Sequence, residues 1–131
     1  MIFDGGDRAF SVTNLSQVAN AVVAVLLRPE ETANRYLYVD SFTVTQNEIL
    51  GVLEKVTASK WQVKQRITDE AVREGKERLG KGDFGGMGLL LNASFLGEGY
   101  GANYTRDEEL ANRRLGLPTQ ELEESVRKLL N

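Results

Sequence analysis

The segment that decides the fold runs from Tyr36 to Leu50 and reads YLYVDSFTVTQNEIL. Its first part is apolar, aromatic and β-branched, which is typical of a buried strand, and we place that strand at residues 35–42. The letters TQNE then predict a capping box. In it the Thr45 hydroxyl accepts a hydrogen bond from the Glu48 amide, and the Glu48 carboxylate accepts one from the Thr45 amide. The apolar residues that follow have helical spacing and predict an amphipathic helix ending near residue 57.

The preceding residues extend this pattern. Residues 9–13 predict a short strand or extended segment, and residues 16–27 predict an apolar helix that opens with a second capping box, formed by Asn14 and Gln17. Pro29 ends that helix, because the residue before a proline is disfavoured in the α region. A loop then leads to the strand. The order helix, strand, helix with short connections is typical of an α/β domain with a parallel sheet.

The second half of the chain predicts further elements of both kinds. The first three are a half-exposed strand at residues 61–67, a charged helix at 69–80 capped by Thr68, and a glycine-rich turn at 80–88. An apolar run follows at 89–96. A third capping box at Thr105 then opens a helix that ends near residue 115, and a last helix spans 118–130. Periodicity alone leaves open whether the run at 89–96 is a helix or a strand.

Length and composition bound the class of protein. With 131 residues, 41% of them hydrophobic and 27% charged, the chain has the size and composition of one globular domain. A net charge of −3 disfavours nonspecific binding to nucleic acid or to an anionic membrane surface. The first residues do not resemble a signal peptide and no apolar run is long enough to span a bilayer, so we expect a cytoplasmic protein.

The chain contains no cysteine and no histidine. Disulfides, a catalytic thiolate, zinc sites built from cysteine and histidine, and histidine-based acid–base catalysis are therefore excluded. Any chemistry must rest on aspartate, glutamate, lysine, tyrosine, serine or threonine, or on a partner or a missing segment. We predict no catalytic residue and no metal-binding residue in this chain.

One glycine-rich segment, from Gly80 to Gly85, matches the spacing G-x-G-x-x-G of dinucleotide-binding loops. That loop works between a strand and a helix N-terminus, where backbone amides and the helix dipole meet a pyrophosphate. Here it follows a charged helix, and no strand ending in an acidic residue lies about 20 residues further on. We interpret the segment as a helix C-cap and hinge, and we predict no cofactor-binding residue.

The one candidate for a small-molecule pocket is an aromatic, glycine-rich patch, called the aromatic patch below. Its members are Phe84, Met87, Leu90, Phe95, Tyr100 and Tyr104. Aromatic rings with a few polar neighbours suit a small-molecule cleft, and glycines let the backbone approach a ligand. The alternative is that these residues only pack the C-terminal helices.

Several segments together resemble a known family. They are DRAFSVTNLSQVANAVVAVLL at residues 7–27, PEETANRYLYV at 29–39, FTVTQNEIL at 42–50, KGDF at 81–84, EEL at 108–110 and LGLP at 115–118. Their order and spacing are similar to the C-terminal portion of fungal NmrA-like, isoflavone-reductase-like proteins, which resemble atypical short-chain dehydrogenases. The likeness extends over nearly the whole chain.

The resemblance implies a single partial domain of the α/β class. Residues 1–58 would form the late part of a Rossmann-like parallel sheet and residues 59–131 a mostly helical substrate lobe, with the N-terminal nucleotide-binding half missing. It implies NAD(P) as the cofactor of full-length relatives, which act as reductases or redox-sensing regulators. This chain alone would lack the cofactor loop and the catalytic segment, and would be inactive. The alternatives are a noncatalytic partner-binding module and a small-molecule binder.

The expected partners follow from the same features. A small-molecule substrate is compatible with the aromatic patch, whereas neither nucleic acid nor a membrane is expected. The strand at residues 35–42 would be buried on both faces in a full domain, because its apolar run is nearly continuous. Without its neighbours, its open edge would favour self-association.

Overall fold

Two pairs of short strands and a set of helices make up this computed structural model, which describes residues 1–97 and 99–130. The strands are β1 (Ile2–Phe3), β2 (Ala9–Val12), β3 (Phe42–Thr45) and β4 (Gln65–Arg66). The helices are α1 (Leu15–Leu26), α2 (Pro29–Thr32), α3 (Gln46–Thr57), α4 (Thr68–Gly80), α5 (Gly85–Leu96), α6 (Tyr104–Asp107), α7 (Asn112–Leu115) and α8 (Leu122–Leu130). A 3-10 turn, Asp4–Gly6, follows β1.

The strands pair in two different ways. β1 and β4 are parallel, with Ile2 opposite Gln65. β2 and β3 are antiparallel, with Ala9 opposite Thr45 and Val12 opposite Phe42. The α/β class and a small parallel pairing are therefore confirmed, while the antiparallel pair was not expected from the helix–strand–helix order.

In the segment from Tyr36 to Leu50, the predicted helix and its cap are present, but the predicted strand is not. The Thr45 hydroxyl accepts from the Glu48 amide at 3.1 Å, and the Glu48 carboxylate accepts from the Thr45 amide at 2.7 Å, so the capping box and helix α3 are confirmed. The prediction of a strand at residues 35–42 is wrong. The strand lies at Phe42–Thr45, and Tyr36 is 95% exposed rather than buried.

The backbone of residues 35–41 has partners of several kinds instead of one neighbouring strand. The Asn112 carboxamide accepts from the Asp40 amide at 3.2 Å and donates to the Asp40 carbonyl at 2.7 Å. Tyr38 makes a single parallel bridge with Leu110. Backbone groups of this run therefore bind partly to the C-terminal segment and partly to Val12 and Thr13, and no regular ladder forms before Phe42.

Helix α1 lies where the sequence predicts it, but its start is different. Asn14 occupies the N-cap position without a capping bond. Its carboxamide instead donates to Gln120 at 2.7 Å and to Ser125 at 2.9 Å, so the predicted capping box with Gln17 is wrong. Tertiary partners from the C-terminal segment replace the local ones. After Pro29 the chain forms the short helix α2, where a loop was expected.

The start of α4 is held by a residue far away in sequence. The Asp4 carboxylate accepts from the Thr68 amide at 2.9 Å and from the Thr68 hydroxyl at 2.5 Å. Thr68 is thus a donor inside the first turn, and the prediction that it caps the helix is wrong. These bonds, with Arg8 nearby, lower the pKa of Asp4 below its usual value.

Helices α4 and α5 form a closely packed pair, and the apolar run at residues 89–96 is part of a helix. A Cβ atom added at Gly75 would lie 2.9 Å from the Gly86 carbonyl oxygen, so only glycine fits this crossing. Ala71 and Ala93 are almost fully buried beside it. The two helix backbones therefore approach as closely as their atoms permit.

The C-terminal third is more broken than the sequence predicts. The helix expected from Thr105 to residue 115 is two short helices, α6 and α7, and the last helix begins at Leu122 instead of residue 118. The cap of α6 is Asn103, whose side chain accepts from the Arg106 amide at 3.1 Å. Thr105 instead shares a hydrogen bond with Thr43. The strand expected at residues 61–67 is only two residues long.

Helix α1 buries a polar residue and exposes apolar ones, the opposite of what is usual for a surface helix. Gln17 is almost fully buried, and its amide donates to the Pro118 carbonyl at 2.9 Å. The exposed apolar residues of this helix and its C-cap are Leu15, Val18, Val22, Val23, Leu26 and Leu27. Within the described ranges none of the helices is both long and apolar enough to cross a bilayer.

The capping box predicts a measurable loss of stability. Thr45→Ala should lower the free energy of unfolding by about 1 kcal/mol, because the Glu48 amide loses its acceptor. Chemical denaturation followed by circular dichroism measures this change. Thr119→Ala is the matched control, since Thr119 is exposed and does not begin a helix. Equal stabilities of the two variants would show that the box does not hold the start of α3.

The contact between Asp4 and Thr68 predicts a pH dependence. Because the folded-state pKa of Asp4 is lowered, its stabilising effect is present above the unfolded pKa and is lost as pH falls through the folded one. Asp4→Asn should cost about 1 kcal/mol at neutral pH, because a neutral carboxamide makes weaker hydrogen bonds to Thr68 than a carboxylate does, and the difference should shrink below about pH 4. Thermal unfolding across this pH range measures both. A cost that is the same at every pH, or that is undiminished in a Thr68→Val background, would contradict the assignment.

Candidate functional site

An apolar groove with a volume of about 660 Å³ opens between β2, α3, α5 and the segment that follows α3. We call it the apolar groove. Its lining consists of Met1, Ile2, Phe10, Ser11, Val12, Thr13, Gln46, Ile49, Leu50, Leu53, Trp61, Gln62, Val63, Asn92, Phe95 and Leu96. The volume lies within the range of small-molecule sites, and the lining is mostly apolar with a few polar groups, as such sites are.

Helix α3 contributes one wall of the groove. Ile49, Leu50 and Leu53 fall on one face of a helix because they are spaced by one, three and four residues. None of the residues of α3 is fully buried. Its apolar face therefore lies along the groove and not within a closed core.

The remaining walls come from segments that are distant in sequence. β2 contributes Phe10 and Val12, and α5 contributes Phe95 and Leu96. The rim includes Trp61, whose indole N–H donates to the Thr57 hydroxyl at 3.1 Å. This bond connects the segment after α3 to the end of that helix and fixes one orientation of the ring.

The aromatic patch predicted from sequence is divided by the structure. Phe95 lines the apolar groove. Phe84, the N-cap of α5, is 80% exposed, Met87 on α5 is 46% exposed, and Leu90 packs against Gly75 of α4. These four residues therefore lie on or directly before one helix but do not share a cavity.

The two tyrosines of the patch lie elsewhere. Tyr100 is 59% exposed and lies close to Gly97. Tyr104 packs on Tyr38, with ring centroids 5.2 Å apart, and the Glu108 carboxylate raises the pKa of Tyr38. The structure thus does not gather the patch around one cavity, and ligand binding by its members stays a prediction. The sequence pattern did not identify the α3 wall, because its apolar spacing is the same as that of a core helix.

The glycine-rich segment from Gly80 to Gly85 joins α4 to α5, so it follows a helix as the sequence indicates. The Asp83 carboxylate accepts from the Gly85 amide at 2.9 Å and from Arg78 at 2.7 Å. The bond to Gly85 is the main cause that lowers the pKa of Asp83. The Asp83 carboxylate therefore already occupies the Gly85 amide, one of the donors that a pyrophosphate would use at the start of α5. The loop also follows a helix and not a strand, so it lacks the arrangement of the dinucleotide-binding fingerprint.

A cluster of hydroxyl groups connects β2, β3 and α6. The Thr43 hydroxyl lies 2.9 Å from the Asp40 carboxylate, 2.8 Å from the Ser11 hydroxyl and 2.5 Å from the Thr105 hydroxyl. Among the residues that the structure describes, no buried polar side-chain atom lacks a partner. The cluster is a satisfied structural network. In the same residues no group of three or more acidic side chains could hold a metal ion.

Comparisons with known proteins relate the chain to fungal oxidoreductases. It is 37% identical over 127 residues to Oxidoreductase aprR of Aspergillus flavus, an alignment that covers 97% of this chain and 42% of that protein. It is 33% identical over 99 residues to Oxidoreductase poxI of Penicillium oxalicum, with 76% and 32% covered. The chain spans less than half the length of these curated relatives. No protein-family model matches the sequence, and neither does any solved structure.

The geometry around Asp83 predicts that this chain alone does not bind NADPH. Titration followed by NADPH fluorescence should show no saturation in the micromolar range, because Asp83 already occupies the Gly85 amide and the loop does not follow a strand. Asp83→Asn removes the charge but leaves the loop between two helices, so it should not create a site. Saturable micromolar binding that Gly82→Ala abolishes would contradict this. Gly51→Ala is the control, since a Cβ atom at Gly51 meets open space.

Proposed function

We propose that this chain is the substrate-binding part of an NAD(P)-dependent oxidoreductase of the NmrA-like, isoflavone-reductase-like type, acting as a reductase or as a redox-sensing regulator. The observation that carries the proposal is the similarity along 97% of the chain to a protein named as an oxidoreductase. Because the chain spans 42% of that protein, the proposal assigns cofactor binding and catalysis to other parts of such a protein. A cytoplasmic location belongs to the same proposal.

The apolar groove supports a substrate-binding role. Its volume of about 660 Å³ admits a small organic molecule, and its lining would remove the apolar part of that molecule from water. The chain's own residues would bind and orient the substrate and exclude solvent from one side of it. No step of hydride transfer is assigned to residues of this chain.

The outer face of α1 favours a second candidate, a noncatalytic partner-binding module. The stretch from Leu15 to Leu27 contains no charged residue, and six of its large apolar side chains are exposed. Exposed apolar patches of this kind mark interaction surfaces. The two candidates place the binding surface on different parts of the chain, so one experiment distinguishes them.

The experiment uses Prodan, a neutral naphthalene ketone whose fluorescence reports transfer from water to an apolar site. Val63→Arg places a charge in the lining of the groove and should weaken Prodan binding at least about tenfold, because the charge would be desolvated beside the ligand. Val22→Arg is the matched control on the outer face of α1. Both valines are partly exposed, at 37% and 51%, so neither change should unfold the chain.

The outcomes separate the two candidates. A loss confined to Val63→Arg supports substrate binding in the groove. A loss confined to Val22→Arg supports the partner-binding face of α1. Absence of Prodan binding by the unmodified chain would contradict the proposed function of the groove.

A further inference from the structure

The apolar groove is lined without any charged side chain, although 27% of the residues in the chain are charged. A charged ligand would lose its hydration there and gain no side-chain counter-charge, which is strongly unfavourable. A lining without charged side chains favours neutral molecules over charged ones.

Three of the five polar side chains in the lining are engaged within the protein. Ser11 shares a hydrogen bond with Thr43, and Thr13 donates to the Val39 carbonyl. The Gln46 carboxamide accepts from the Phe3 amide at 2.9 Å. These groups hold β2 and α3 in place.

The other two polar side chains are the carboxamides of Gln62 and Asn92. Both line the groove, both are exposed, and neither makes a hydrogen bond to any residue in the ranges 1–97 and 99–130. They lie on different walls, because Gln62 follows α3 and Asn92 belongs to α5. A carboxamide offers two donors and one acceptor oxygen, so each can bind a carbonyl or a hydroxyl group of a ligand.

Two aromatic rings accompany the carboxamides. Trp61 and Phe95 line the groove and are 47% and 53% exposed, so each ring leaves surface to a ligand. Since the Trp61 N–H already donates to Thr57, its ring contributes apolar contact and not a hydrogen bond. Aromatic rings of this kind pack on planar groups.

We propose that the apolar groove binds a neutral, planar, largely apolar molecule that carries a carbonyl or hydroxyl oxygen, and that Gln62 and Asn92 recognise this oxygen. The proposal rests on the proposed function, since it names the class of substrate for the same groove. Gln62 and Asn92 determine specificity. The apolar walls supply most of the affinity, and the two carboxamides discriminate among apolar molecules of similar shape.

The test compares two probes that differ in one group. Prodan carries a propionyl ketone, and 2-(dimethylamino)naphthalene is the same aminonaphthalene without the propionyl group. Asn92→Leu and Gln62→Leu should each weaken Prodan binding about fivefold to tenfold and leave the binding of the analogue that lacks the ketone unchanged or stronger. Asn20→Leu is the matched control, because Asn20 is exposed on a helix and does not line this groove.

Failure of this inference differs from failure of the proposed function. If Val63→Arg weakens Prodan binding but both leucine variants bind Prodan as the unmodified chain does, the groove binds ligands without recognition by the carboxamides and the inference is wrong. An equal loss for both probes would also overturn it, since that result indicates altered packing. If neither probe binds, the groove is not a binding site and both proposals fail.

Discussion

The junction between β3 and α3 at Thr45 is the constraint on which the groove depends. Thr45 is the last residue of β3 and pairs with Ala9 of β2, and it is also the N-cap of α3. One residue therefore completes the antiparallel pair and begins the helix, and no loop separates them. Because the bonds with Glu48 fix the direction in which α3 leaves the strand, the apolar face of α3 is held beside β2, and the groove lies between them.

Local sequence patterns predict the structure only where the partners are also local. The capping box of Thr45 and Glu48 was predicted because both members lie within one turn. Asn14, Thr68 and Thr105 are also of residue types that favour helix N-caps, and they lie at or near helix starts. Their side chains nevertheless bind Gln120, Asp4 and Thr43, respectively. These partners lie more than 60 residues away in sequence. A capping preference of about 1 kcal/mol is easily exceeded by the tertiary contacts of a folded chain.

Local sequence patterns were also insufficient to locate the candidate site. Composition identified the aromatic patch, since six apolar and aromatic residues lie within a short glycine-rich segment. The groove is instead assembled from some of the residues in five separate segments, 1–2, 10–13, 46–53, 61–63 and 92–96, and Phe95 is the member that both sets share. The apolar positions of α3 were predicted correctly as one helix face. Whether such a face closes a core or borders a cleft depends on what packs against it, and a single sequence does not contain that information.

The crossing of α4 and α5 determines the position of one wall of the groove. Since the two backbones meet at Gly75 and Gly86, α5 has no room to move toward α4, and α4 is in turn fastened to Asp4 near the N-terminus. The wall formed by Phe95 and Leu96 thus belongs to a helix whose distance from α4 depends on two glycines. A methyl group at Gly75 would push α5 away from α4. Substitutions at Gly75 and Gly86, which do not line the groove, would therefore shift one of its walls and change which ligands enter without changing a residue that contacts them.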